Sequence, residues 1–128
     1  MSFPRVVLAG LLAGGLGSSA PAGLIRGVLI DKECSSKAEL RLVPGPRLEG
    51  GMVVAEAHDR ECALMPQCQK SGYGVFTHDN KFLAFDAAGN RMALAALKAS
   101  KKLVDLQVEV EGQVEGNTIK VSSLKLLP

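Results

Sequence analysis

The chain has 128 residues, which bounds it to one domain with a modest core. Fifteen Lys and Arg residues against 13 Asp and Glu give a formal charge of +2, and so balanced a chain lacks the basic footprint of a nucleic-acid binder. A domain this small gains from extra cross-links, by disulfide or by metal.

Met1 to Arg5 is a short cationic start, Val6 to Gly17 an uncharged apolar run, and Ala20-Pro21-Ala22 a set of small residues. This order predicts a secretory signal peptide over residues 1–22 and a single mature domain over residues 23–128, exported to a periplasm or the extracellular space. The apolar run is about a dozen residues, whereas a membrane-spanning helix needs roughly twenty, so no stable membrane span is expected in the mature chain. Cys34 lies too far behind the run to suggest a lipoprotein anchor. Arg5 is the leader's one basic residue, so its removal takes the formal charge to +1.

Leu24 to Ile30, rich in β-branched residues, predicts a first strand ending at Asp31. Lys32 to Ala57 reads as an irregular insertion, because Pro44-Gly45-Pro46 and Gly50-Gly51 are strong breakers, with a short extra strand at Met52 to Ala55. His58 to Met65 predicts about two turns of helix that stop near Pro66, since proline disfavours the helical conformation of its predecessor. Tyr73 to Thr77 and Lys81 to Phe85 form a hairpin through His78-Asp79-Asn80. Asp86 to Asn90 supplies caps for a helix over Arg91 to Lys102, rich in Ala, Leu and Lys. Leu106, Val108 and Val110 alternate with polar residues, as in a half-buried strand, and Thr118 to Leu126 is its partner. In that partner Ile119 and Val121 share one face while Leu124 and Leu126 fall on the other, which predicts a bulge near Ser122-Ser123.

Five strands with a helix between the third and fourth is the order of a five-stranded OB-like Greek-key barrel, here mainly β with one principal helix and a cysteine-bearing insertion after the first strand. An open antiparallel sheet covered by one helix is the alternative. The segments Gly27-Val-Leu-Ile-Asp31, Ser71-Gly72-Tyr73-Gly74-Val75, Lys81-Phe82, Phe85-Asp86, Val110-Glu-Gly112 and Thr118-Ile-Lys-Val-Ser122, with Cys34, His58, Cys62 and Cys68 between them, resemble the small exported bacterial domains of uncharacterised function with an OB-like barrel. The resemblance spans nearly all of the mature chain and implies a fold and an exported location rather than an activity. The Pro44 to Gly51 stretch departs from it as an insertion.

The chemistry concentrates in Cys34, His58, Cys62 and Cys68. On a helix His58 and Cys62 are four apart and share a face, and three cysteines with one histidine form a known tetrahedral zinc set, although no C-x-x-C pair is present. Copper(I) also suits thiolates, with Met52 or Met65 as additional ligands. The other outcome is a disulfide with one thiol left over, which export permits. Cys62 with Cys68, or Cys34 with either, are the pairings open to it. His78 reads as a solvated turn residue, and Asp31 and Asp86 as turn-forming or capping residues. No catalytic constellation is evident. Tyr73, Phe76, Phe82 and Phe85 lie on the strands that OB folds use to bind oligonucleotides or sugars, but a small barrel needs them as core.

Overall fold

The computed structural model of the chain describes residues 23–39 and 50–128. The leader and the Pro44-Gly45-Pro46 stretch lie outside the described residues. Strand β1 (Gly23–Asp31) is followed by helices α1 (Lys32–Glu39), α2 (Gly50–Ala57), α3 (Arg60–Ala63) and α4 (Pro66–Ser71). Strands β2 (Tyr73–Phe76) and β3 (Phe82–Phe85), helix α5 (Ala87–Ala99), and strands β4 (Gln107–Glu115) and β5 (Thr118–Leu126) complete the order.

The five strands close in a ring in the order β1-β2-β3-β5-β4. Ladders are antiparallel except between β3 and β5, where Ala84 lies opposite Thr118 and Phe85 opposite Ile119 in a parallel pair. The ring is sealed by β1 on β4, with Ile25 opposite Val110 and Gly27 opposite Val108. Helix accounts for as much of the described chain as strand, so the fold is mixed rather than mainly β. Although α5 is the longest helix, α1 and α2 also have eight residues each, so no single helix is principal.

Alternation builds the inside of the ring. Leu106, Val108, Val110, Ile119 and Val121 share one buried cluster with Leu29, Val75, Ala93 and Leu97. Glu111 lies opposite Ser123 and Gly112 opposite Val121, so Ser122 is the extra residue of a bulge. That single insertion reverses the strand's parity and turns Leu124 and Leu126 onto the same cluster. The bulge stands where the sequence places it.

Helix α5 begins four residues earlier than Arg91, because the Asp86 carboxylate accepts the Gly89 N–H at 2.9 Å as an N-cap. It ends at Ala99 rather than Lys102, where the Ser100 hydroxyl accepts the Lys102 N–H at 3.0 Å. Gly89 lets this helix lie close on the sheet: a Cβ there would come 2.5 Å from Cγ2 of Val121.

The segment read as irregular is largely helical. Asp31 caps α1 by accepting the Cys34 N–H at 3.0 Å, and the Ser35 hydroxyl returns to the Lys32 carbonyl at 2.7 Å. Met52 to Ala55 is helix rather than strand. Met52 and Ala55 join Val28, Ile30, Phe76 and Phe82 in a second cluster, which buries the other face of β1 and β2. The β1 end is therefore buried on both faces, which removes the alternation expected of a half-buried strand.

Pro66 ends one short helix and starts the next. Met65 is extended at φ −63°, ψ 143°, as a residue before proline prefers, and Pro66 opens α4 without losing a needed N–H. Gly72, at φ +86°, turns the chain from α4 into β2.

Candidate metal centre

The carboxyl end of β1 delivers Asp31 into the interior. Asp31 pairs with Tyr73 and Leu29 with Val75, so Asp31 continues the inward-facing row of Leu29. It is fully buried. One carboxylate oxygen, Oδ2, is taken by the Cys34 N–H, and the other, Oδ1, lies 2.8 Å from Nε2 of His58. Nδ1 of His58 is buried with no hydrogen-bond partner among the described residues.

His58 follows α2 and is held from several sides. Its own N–H donates to the Val54 and Ala55 carbonyls, the Asp105 N–H donates to Glu56, and the Arg60 N–H donates to Leu103. Arg60 Nε also donates to the Leu97 carbonyl at 2.7 Å, which ties this segment to the end of α5. Only 9% of His58 is exposed.

One ligand atom each from Asp31, Cys34 and His58 lies within 4.8 Å of the other two. Cys68 lies on α4, which packs on α1, and the Asp31 charge acts on its thiol. Cys68 is buried, Cys34 half-buried. A carboxylate from β1, a thiol from α1 and an imidazole after α2 thus come together.

Cys62 is not part of this group. His58 precedes Asp59, the N-cap of α3, so His58 and Cys62 do not share a helical face. The Asp59 carboxylate accepts the Cys62 N–H at 2.6 Å, and Cys62 is exposed. No disulfide joins any of the three cysteines, all of which lie among the described residues. Asp31, read from the sequence only as a turn or cap residue, lies with Cys34 and His58. The signal was present: an Asp three residues before a Cys at a strand end caps a helix and brings both side chains to its first turn.

Burial pushes the Asp31 carboxyl up, but His58 and the Cys34 N–H outweigh it and hold it below the usual carboxylate value. Burial and the neighbouring Asp31 charge push the Cys68 thiol up. Tyr73 is pushed up to about 12, by burial first and then by Asp31 and Cys68, and its hydroxyl donates to the Ala63 carbonyl at 2.6 Å.

His78 is exposed in the β2–β3 turn, as read from the sequence, and Asn80 at φ +60° supplies the turn's left-handed residue. Tyr73, Phe76 and Phe85 are buried and Phe82 is half-buried. Among the described residues no helix is long and apolar enough to cross a membrane.

Comparison with protein families, with curated proteins and with solved structures finds no match.

Proposed function

We propose that this is an exported OB-type domain that binds one transition-metal ion, zinc above all, through Asp31, Cys34, His58 and Cys68. The observation that carries the reading is the grouping of one ligand atom each from Asp31, Cys34 and His58 within 4.8 Å of one another, with Cys68 proposed as the fourth ligand from α4, which packs on α1. Ligand atoms of a tetrahedral zinc site stand about 3.3–3.8 Å apart, given bonds of about 2.0–2.3 Å. The Asp31, Cys34 and His58 ligand atoms lie within 4.8 Å of one another, with 2.8 Å between Oδ1 of Asp31 and Nε2 of His58, which brackets that range.

The donor set favours zinc over copper(I), because a carboxylate is a hard ligand that copper(I) takes poorly while zinc accepts sulfur, nitrogen and oxygen together. A Cys-His-Asp relay fits less well. In a relay the two ring nitrogens serve different partners, whereas here one His58 nitrogen lies near both the Asp31 oxygen and the Cys34 sulfur. A role as a binding module for bases or sugars has little support. The aromatics of β2 and β3 are core, and α2 covers the outer face of β1 and β2.

The OB-type reading rests on the strand order, the parallel β3–β5 pair and the helix between β3 and β4. Export rests on the cationic start, apolar run and small residues of the leader.

The test is metal content after zinc loading of the reduced chain and removal of excess. Wild type and Cys62→Ser should retain one equivalent, whereas Cys34→Ser, Cys68→Ser and His58→Ala should lose most of it. Retention unchanged in His58→Ala, or lost in Cys62→Ser, would overturn the assignment.

A further inference from the structure

We propose that the cleft between the C-terminal half of α5 and the end of β5 binds an acidic, extended peptide segment of a partner protein, which adds as a strand along the free edge of β5. This site is independent of the metal reading.

The ladders leave that edge open. Strand β4 pairs with β5 from Thr118 to Leu126, whereas β3 takes the other edge only at Thr118 and Ile119. Asp86 covers the next step: its N–H donates to the Ile119 carbonyl at 3.0 Å, and its carboxylate accepts the Val121 N–H at 3.3 Å. Beyond Val121 no strand pairs with that edge among the described residues. Helix α5 is seated on β5 where Gly89 meets Val121, and further along the two elements leave a cleft of about 580 Å³ between them. Ala96 and Ala99 line it from the helix, and Leu124, Leu126 and Leu127 from the strand and its end. It is open to solvent on one side, which suits a segment laid along a strand better than a small molecule that must be enclosed.

Charge selects the kind of segment. Lys101, Lys102 and Lys125 also line the cleft, and Lys102 Nζ donates to the Pro128 carbonyl at 3.3 Å, which bridges the two walls. Residues 87–104 and 116–128, which build those walls, carry Arg91, Lys98, Lys101, Lys102, Lys120 and Lys125 and no Asp or Glu. Glu109 lies opposite Lys125 in the ladder, but its carboxylate is held by Arg26 at 3.0 Å. Lys101 and Lys125 are exposed, and neither has an ion-pair partner among the described residues. A bound strand alternates its side chains, so apolar residues on one face would meet the Ala and Leu lining while acidic residues on the other met the lysines.

The experiment titrates the isotope-labelled chain with a short, end-blocked peptide alternating valine and glutamate, and follows backbone amide shifts. Expected is saturable binding with shifts over Ser122 to Leu127 and Ala96 to Lys102. Lys125→Glu should weaken it about tenfold, while Lys81→Glu, the same change of charge beside the β2–β3 turn, should leave it unchanged. The peptide N-methylated along its backbone, and one with lysine in place of glutamate, should both fail to bind. Absence of saturable binding, shifts confined to other elements, equal loss in the two variants, or equal binding of the N-methylated peptide would overturn the proposal. Laurate binding in the cleft as tightly as the peptide would mark a site for anionic amphiphiles and overturn strand addition.

Discussion

Nε2 of His58 stands 2.8 Å from Oδ1 of Asp31, with the His58 side chain 6% exposed and that of Asp31 fully enclosed. A contact of this kind costs much more to break from one side than it contributes as a whole, because the surviving partner stays buried without its counterpart. His58→Ala should therefore destabilise even the metal-free, reduced chain by about 3 kcal/mol. Urea unfolding with a chelator present measures it. A loss no larger than that of an exposed substitution such as His78→Ala would contradict the pairing.

The Asp31 carboxyl is held below its ordinary value in the fold. A depressed carboxylate contributes stability above its unfolded pKa of about 3.9, and that contribution is lost as pH falls through the lower folded value. Acid titration of the metal-free chain should show this loss below about pH 4. Asp31→Asn should start less stable at neutral pH and lose less on acidification.

Tyr73 gives the opposite limb. Its folded pKa of about 12 lies above the unfolded value of about 10, so its contribution is complete below pH 10 and disappears between pH 10 and 12. The two-unit difference corresponds to roughly 2–3 kcal/mol. Tyr73→Phe should flatten that alkaline fall and cost about 1 kcal/mol at neutral pH, through the lost bond to the Ala63 carbonyl. Alkaline unfolding midpoints for the two proteins provide the check.

The bulge at Ser122 sets which side of β5 faces inward. Deleting Ser122 would restore the ladder but turn Leu124 and Leu126 away from the cluster they join. Ser122→Ala should change stability by no more than about 0.5 kcal/mol. The deletion should cost several times as much, on the scale of Ile119→Ala, which should lose about 3 kcal/mol through burial and cavity. Thermal unfolding of the three variants separates them.

Much of the sheet was legible because its signals are local. The alternation of Leu106, Val108 and Val110, the hairpin turn at His78-Asp79-Asn80 and the parity break at Ser122 each leave a pattern within a few residues. The insertion was not legible in the same way. Gly50-Gly51 reads as a breaker, yet it opens α2, because burial of Met52 and Ala55 on the outer face of β1 and β2 outweighs the cost of glycine in a helix. The site was half visible. Cys34, His58 and Cys68 carry ligand chemistry in any context, but Asp31 rather than Cys62 lies with Cys34 and His58, and the reason is one backbone detail. Asp59 caps α3, which puts His58 outside the helix and turns Cys62 away. Asp31, read only as a cap, caps α1 with one oxygen and meets His58 with the other.

X-ray absorption at the zinc edge, on the reduced and zinc-loaded chain, tests the proposed centre most directly. Two sulfurs at about 2.3 Å with two nitrogen or oxygen neighbours at about 2.0–2.1 Å are the predicted shell. Three sulfurs would bring Cys62 into the site, and a shell of light atoms alone would contradict a thiolate centre altogether.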